Sequence, residues 1–203
     1  APALYLVLAE LGFFPKEELK TLRQINSNLH GHPCVHKTSG IELSTGPLGL
    51  GLSAGLGMAL ADKLKGNNAY TYVVLGDGEI QEGAVWEGAL SASKFKADNL
   101  IAFLDNNGVQ LDGTLEEIMP MGDLKAKWAS FGWNVLDCDG HDVESISDAV
   151  DEAKKCKGKP TIIIAKTVKG KGISFMEGKN TWHGKAINDE DYRNAKAELG
   201  GAC

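Results

Sequence analysis

Two polar clusters in this 203-residue chain each close an apolar run: Gly76-Asp77-Gly78 follows residues 70–75, and Asp105-Asn106-Asn107 follows 100–104. Asp77 offers a carboxylate and Asn107 an amide oxygen. Hard oxygen donors beside open backbone suit Mg2+, which keeps an octahedral shell and usually shares it with a phosphate. Gly76 and Gly78 permit close backbone approach and dihedrals that other residues avoid. A helix opening near Gln81 directs N-terminal amides at the same edge, which favours an anion there. Taken singly, each cluster reads more simply as a strand-to-helix turn or an Asn-rich hairpin. Taken together, at matching strand ends, they read as a Mg2+–diphosphate site.

That reading needs a scaffold, and the pattern supplies one. Residues 70–75, 100–104 and 161–165 are short, β-branched or apolar runs, as expected of buried parallel strands. A further strand is expected at 133–137. Helical periodicity occupies 81–94, 123–131, 143–155 and 189–199, and the apolar, Gly- and Ala-rich stretch 48–64 stops at Lys65-Gly66-Asn67-Asn68. Shorter helices are expected at 4–11 and 16–23, a polar loop at 26–45, and a Gly- and Lys-rich loop at 167–188. Strands alternating with helices predict an α/β fold, a parallel sheet covered by helices on both faces. Its ligands should lie beyond the carboxyl ends of the strands.

Composition excludes several partners. The net charge is -6 and no basic tract stands out, so nucleic acid is not expected. The most apolar run is shorter than a membrane span and interrupted by glycine, so no membrane partner is expected. The N-terminus is a poor signal peptide, since it lacks a basic leader and carries Glu10. Cys34, Cys138, Cys156 and Cys203 are far apart and read as reduced thiols of a cytoplasmic protein. His30, His32, Cys34 and His36 form H-x-H-x-C-x-H, but Pro33 stiffens the segment and the spacing is not that of structural zinc sites. The glycines at 49, 51, 55 and 57 do not make G-x-G-x-x-G, and close packing against a neighbouring helix or subunit explains them better.

Residues 76–113, GDGEIQEGAVWEGALSASKFKADNLIAFLDNNGVQLDG, resemble transketolases more closely than other thiamine-diphosphate enzymes. GHP (31–33), STGPLGLGLSAGLGMALA (44–61), KGKGISFME (169–177) and WHGKA (182–186) support the resemblance in family order, across nearly the whole chain. It implies a thiamine-diphosphate-binding fold of the diphosphate-binding type. Asp77, the Asn107 side chain and the Val109 carbonyl would ligate Mg2+, with Ca2+ or Mn2+ as substitutes. Gly76 and Gly78 would lie against the diphosphate, and Gly46, Pro47 and Leu48 beside the pyrimidine and thiazolium. His32 would face the reacting carbons of the ketose, and His183 the diphosphate and substrate. Glu82 and Glu87 would stand at a subunit interface near the cofactor, although both also suit the dipole of a helix start. Trp86 reads as core.

The activity implied is transfer of a two-carbon ketol unit from a ketose phosphate to an aldose phosphate. Nothing in the chain resembles the pyrimidine-binding or C-terminal domain, nor the GHA and S-G-H-P-G segments that family members place ahead of an APALY-type sequence. Residues 1–203 are therefore expected to be one diphosphate-binding domain, incomplete at its front and inactive without a pyrimidine-binding subunit or domain. The expected assembly is a dimer of such pairs or a homodimer. Dihydroxyacetone synthase, deoxyxylulose-phosphate synthase and α-ketoacid dehydrogenase subunits would share the metal site, and QEGAVWE with WHGKA argues against the last two. A non-enzymatic interaction subunit is a further alternative, against which Asp77, Asn107, His32 and His183 speak.

Overall fold

Pro2 occupies the first turn of the first helix, where its missing N–H costs nothing. The computed structural model describes residues 1–200; residues 201–203, including Cys203, lie outside the described residues. The chain forms two compact units, Ala1–Leu48 and Gly49–Cys203. In the first, helix α1 (Pro2–Glu10) and a 3-10 turn (Lys16–Thr21) close over a core of Tyr5, Leu8, Phe14, Leu29 and Ile41. The second expected helix is thus a tighter, shorter turn. The Tyr5 hydroxyl donates to the His30 carbonyl at 2.8 Å, giving the ring's polar end a partner beneath the polar loop.

The second unit begins with helix α2 (Leu50–Lys65), which ends at Gly66 with the Asn67 N–H returning to the Asp62 carbonyl. There follow β1 (Thr71–Gly76), α3 (Gly83–Lys94), β2 (Leu100–Asn106), the one-turn α4 (Leu115–Ile118), α5 (Leu124–Ser130), β3 (Asn134–Asp139), α6 (Val143–Lys155), β4 (Thr161–Lys166) and α7 (Asp189–Glu198). The four strands form one parallel sheet in the order β1-β2-β4-β3.

Alternation along the strands assigns the faces. Leu100, Ala102, Leu104, Ile162 and Ile164 join α2, α3 and α5 in one core, while Ile101, Ile163 and Ala165 join Ala149 and Ala153 of α6 in another. Helices thus lie on both faces, although Tyr72 and Val74 of the edge strand β1 remain exposed. The first core includes an aromatic stack, with Trp128 lying 4.9 Å from Trp86 and 5.0 Å from Trp133 between ring centroids. Trp86 is only partly buried, against the core rather than within it.

The glycines of α2 serve a different neighbour from the one expected. A Cβ at Gly55 would clash with Val73 Cγ2, so this glycine lets the helix lie directly on strand β1. Gly57 faces open space. At the amino end of the sheet, Asn99 ties strand to helix, its Nδ2 donating to the Ala59 carbonyl at 2.9 Å.

Candidate functional site

Parallel pairing of β1 with β2 sets Gly76 opposite Asp105, so the two polar clusters do share the carboxyl edge. Asp77, the first residue past β1, is 2 % exposed. Its Oδ1 accepts from Gly78 N at 2.8 Å and its Oδ2 from Gly108 N at 2.5 Å. Gly108 reaches this position with φ of 75°, a conformation glycine adopts freely. Burial pushes the Asp77 carboxyl above its ordinary pKa. The backbone N–H groups of Gly108, Gly78 and Asn107 pull it down, and the charge of Asp105 adds to the rise. None of the ion pairs among the described residues involves Asp77. A buried carboxylate beside a second acid, lacking a cationic partner, fits a divalent cation.

The neighbouring oxygens are arranged to assist. Asn107 Oδ1 accepts from Val109 N at 3.0 Å and keeps a second lone pair. Val109 is buried and bridges Thr114; the hydrogen bonds of this hairpin, Leu115 N to Gly108 O and Gln110 N to Gly113 O, leave the Val109 carbonyl free. A capping box between Thr114 and Glu117 closes the hairpin. Gln81 Nε2 donates to Gln110 Oε1 at 2.7 Å and to the Met119 carbonyl at 3.1 Å, fastening the hairpin to the turn after β1.

That turn differs from the sequence expectation. Residues Glu79–Gln81 form a 3-10 turn and α3 begins at Gly83, so no helix opens at Gln81. Neither Gly76 nor Gly78 has a positive φ, and Gly78 is at -68°. Gly78 serves proximity instead: a Cβ there would lie a tight 3.0 Å from Gln110 Cβ. Glu79 is a residue that the motif reading missed. Its carboxylate accepts from Gly76 N at 3.1 Å and Gly49 N at 3.0 Å, locking the end of β1 to the start of α2. Its place directly after Gly76-Asp77-Gly78 was the available signal. Glu82 occupies the N-cap position of α3, but its side chain caps nothing; it and Glu87 are exposed.

His183 lies on a 3-10 turn, Asn180–His183, within the 167–188 loop. Asn180 Nδ2 donates to the Leu111 carbonyl at 3.2 Å, which connects this turn to the Asn107 hairpin. His183 Nδ1 is 3.2 Å from Lys169 Nζ. An ammonium can only donate, so Nδ1 accepts and the ring proton sits on Nε2. Lys169 is a second residue the sequence reading missed, one of several lysines in a loop read by composition. At the carboxyl ends of β2, β3 and β4 lies a cavity of about 840 Å3, lined by Asn106, Asn107, Asp139, His141, Thr167 and Lys171 among others.

In the first unit, His32 lies against Gly46. A Cβ on Gly46 would be 3.0 Å from His32 Cγ, and Thr45 N donates to the Pro33 carbonyl at 3.2 Å. His32, Gly46, Pro47 and Leu48 are all exposed. Among the described residues no three His, Cys, Asp or Glu side chains gather to hold a metal, the H-x-H-x-C-x-H segment included. No helix among them is long and apolar enough to cross a membrane.

A family described as transketolase, thiamine diphosphate binding domain, matches residues 2–202. The chain is 45% identical over 198 residues to the 6-deoxy-6-sulfo-D-fructose transketolase subunit SqwG of Clostridium sp. (strain MSTE9), covering 98% of this chain and 72% of that protein. It is 43% identical over 199 residues to an apulose-4-phosphate transketolase subunit of Actinobacillus succinogenes, covering 98% and 72%. Among solved structures, the transketolase of Pichia stipitis in complex with sedoheptulose 7-phosphate superposes with a TM-score of 0.92 at 35% identity, covering 97% of this chain and 31% of that one. The chain thus spans most of the subunit-type relatives and about a third of the single-chain enzyme.

Proposed function

From the premise that the chain belongs to the transketolase family, as its N-terminal thiamine-diphosphate-binding domain or subunit, we propose that it holds the diphosphate half of the cofactor for ketol transfer. The observation that carries this reading is Asp77: a carboxylate buried at a strand end, fixed by backbone N–H groups and lacking a cationic partner. Mg2+, or Ca2+ or Mn2+ in its place, would be held by Asp77, Asn107 Oδ1 and the Val109 carbonyl. The diphosphate would lie along Gly76 and Gly78 and meet the Lys169–His183 pair. There the ammonium and the His183 Nε2–H would donate to its oxygens.

When bound, thiamine diphosphate supplies the carbon nucleophile that breaks and remakes a sugar carbon–carbon bond. The chain's residues bind and orient. Gly46, Pro47 and Leu48 would offer an exposed apolar loop to the cofactor rings, and His32 an imidazole to the ketose hydroxyls. Exposed Glu82 and Glu87 suit contact with a partner, a pyrimidine-binding subunit or domain. The pairing with a separate polypeptide is supported by relatives that are themselves described as subunits. Those relatives are described for a sulfo-sugar and a sugar phosphate, which supports anionic sugars as substrates; the reaction would belong to pentose phosphate chemistry, and the working assembly would be a dimer of such pairs. Free Cys34, Cys138 and Cys156 suit the cytoplasm.

The test is reconstitution. The chain is mixed with a pyrimidine-binding transketolase subunit, thiamine diphosphate and Mg2+, and ketol transfer between a ketose phosphate and an aldose phosphate is followed. Activity that requires both polypeptides supports the reading. Turnover by the 203-residue chain alone, or none by any pairing that binds the cofactor, contradicts it.

A further inference from the structure

His183 and Lys169 belong to a loop built of short turns rather than helix or strand: Gly170, Gly172 and Gly178 all have positive φ, and backbone bonds such as Gly178 N to the Lys169 carbonyl at 2.9 Å tie the turns to one another. The loop nonetheless leaves the sheet in a fixed direction, because its first residues are gripped from two sides. On the β2 side, Thr167 Oγ1 donates to Asp105 Oδ1 and Thr167 N to the Asn106 carbonyl. On the other side stands the turn between β3 and α6, residues Gly140 and His141. Gly140 N donates to the Lys166 carbonyl at 2.9 Å, and a Cβ on Gly140 would clash with Thr167 Cγ2, so the two segments touch closely.

The last grip is by a side chain. Val168 N donates to His141 Nε2 at 2.7 Å. A backbone N–H can only donate, so Nε2 carries no proton, and the ring proton is on Nδ1. His141 is itself fixed: its own N–H donates to Asp139 Oδ1 at 2.9 Å, and the next residue, Asp142, caps α6. One residue beyond the clasped amide is Lys169, whose ammonium meets His183. No protein side chain other than His141 contacts the Val168 amide among the described hydrogen bonds.

We propose that His141 is a positioning residue for the diphosphate subsite. Its bare Nε2 holds the Val168 amide and thereby sets the Lys169–His183 pair in place. The proposal rests on the function reading above, since it takes that pair to face the cofactor's diphosphate. Because the clasp is one hydrogen bond to a ring nitrogen, a neutral side-chain acceptor of similar reach should replace it, and an aliphatic stub should not. The metal corner at Asp77 shares no hydrogen bond with His141 and should be indifferent to both changes.

The experiment uses the chain in complex with a pyrimidine-binding subunit, comparing wild type with His141→Ala and His141→Gln. Amide hydrogen exchange at Val168 and the dissociation constant for thiamine diphosphate are measured, together with Mn2+ binding without cofactor. The clasp predicts faster Val168 exchange and a cofactor dissociation constant raised about fivefold in His141→Ala, the value of one ordinary hydrogen bond. It also predicts recovery of most of both in His141→Gln, and unchanged Mn2+ binding in either. Unchanged exchange and affinity in His141→Ala would overturn the proposal. So would a His141→Gln variant as impaired as His141→Ala, or an equal loss of Mn2+ binding. A wild-type complex that takes up no thiamine diphosphate would overturn the function reading instead, while the exchange data would still decide whether His141 holds Val168.

Discussion

The Asp77 corner and the His183 loop sit at the same edge of the second unit but are built by different means. Asp77 is one residue beyond a strand, and its carboxylate is fixed by the backbone N–H groups of Gly78 and Gly108, each within two residues of a strand end. His183 is 17 residues beyond the last strand, and side chains hold it: the half-buried Lys169 and Asn180 and, through Val168, the exposed His141. The corner is preorganised by the fold, whereas the loop is organised by ties worth about 1 kcal/mol apiece. Substitutions in the corner should therefore abolish cofactor binding, and substitutions in the loop should grade it.

The largest effect is expected from Asp77→Ala. It removes the charge that a cation would answer, and Mg2+-dependent cofactor affinity should fall by more than about 100-fold, beyond the 10–100-fold typical of an outer-shell partner. Titration calorimetry on the complex measures it, and a loss below tenfold would erase the distinction between corner and loop.

The same carboxylate predicts a pH dependence. Its folded pKa is raised by burial, so the native state binds the proton more tightly than the unfolded chain. Without metal, stability should be full below the ordinary carboxylate range and decline as pH rises toward the raised value. Thermal unfolding in EDTA should show this decline, and both Mg2+ and Asp77→Asn should flatten it. A stability that rises with pH in the wild type and in Asp77→Asn alike would assign the dependence to other groups.

Lys169→Ala comes next. Losing a charged donor to an anion costs about 1.5–3 kcal/mol, so cofactor affinity should drop roughly 10- to 100-fold with Mn2+ binding unchanged. An effect matching that of Asp77→Ala would mean that the loop is as preorganised as the corner.

The smallest effect is expected at the opposite end of the sheet. Lys63 pairs with Asp98 at 2.6 Å, and burial raises the Asp98 pKa less than Lys63 and the Gly158 N–H lower it. Lys63→Ala should cost at most about 1 kcal/mol, as for exposed ion pairs, and leave cofactor affinity unaltered. Denaturant unfolding and calorimetry together check this.

The contrast also explains what could be read from the sequence. Strands β2 and β4 are buried as their apolar runs suggest, whereas β1, with an equally apolar run, is an edge strand that leaves Tyr72 and Val74 exposed; the site residues Asp77 and Asn107 are legible because each directly follows such a strand. Helix α6 is plain because one face is apolar and Asp142 caps it. The tight 3-10 turns and the four-residue α4 escape, since one turn of chain has no periodicity to detect. The glycines mislead for a related reason. Composition shows that Gly55 and Gly78 matter, but only coordinates show that what they admit is Val73 and Gln110. Lys169 and His141 escape because their role comes from tertiary contact: 27 residues separate His141 from Val168, and 14 separate Lys169 from His183.

The most direct test of the central claim is titration calorimetry of thiamine diphosphate into the complex of this chain with a pyrimidine-binding subunit, with Mg2+ and again with EDTA, for wild type and Asp77→Asn. A site built on Asp77 predicts one cofactor per chain in Mg2+, binding abolished by EDTA, and no binding by Asp77→Asn in either condition. Equal affinity with and without a divalent cation, or an Asp77→Asn variant that binds as tightly as wild type, would contradict it.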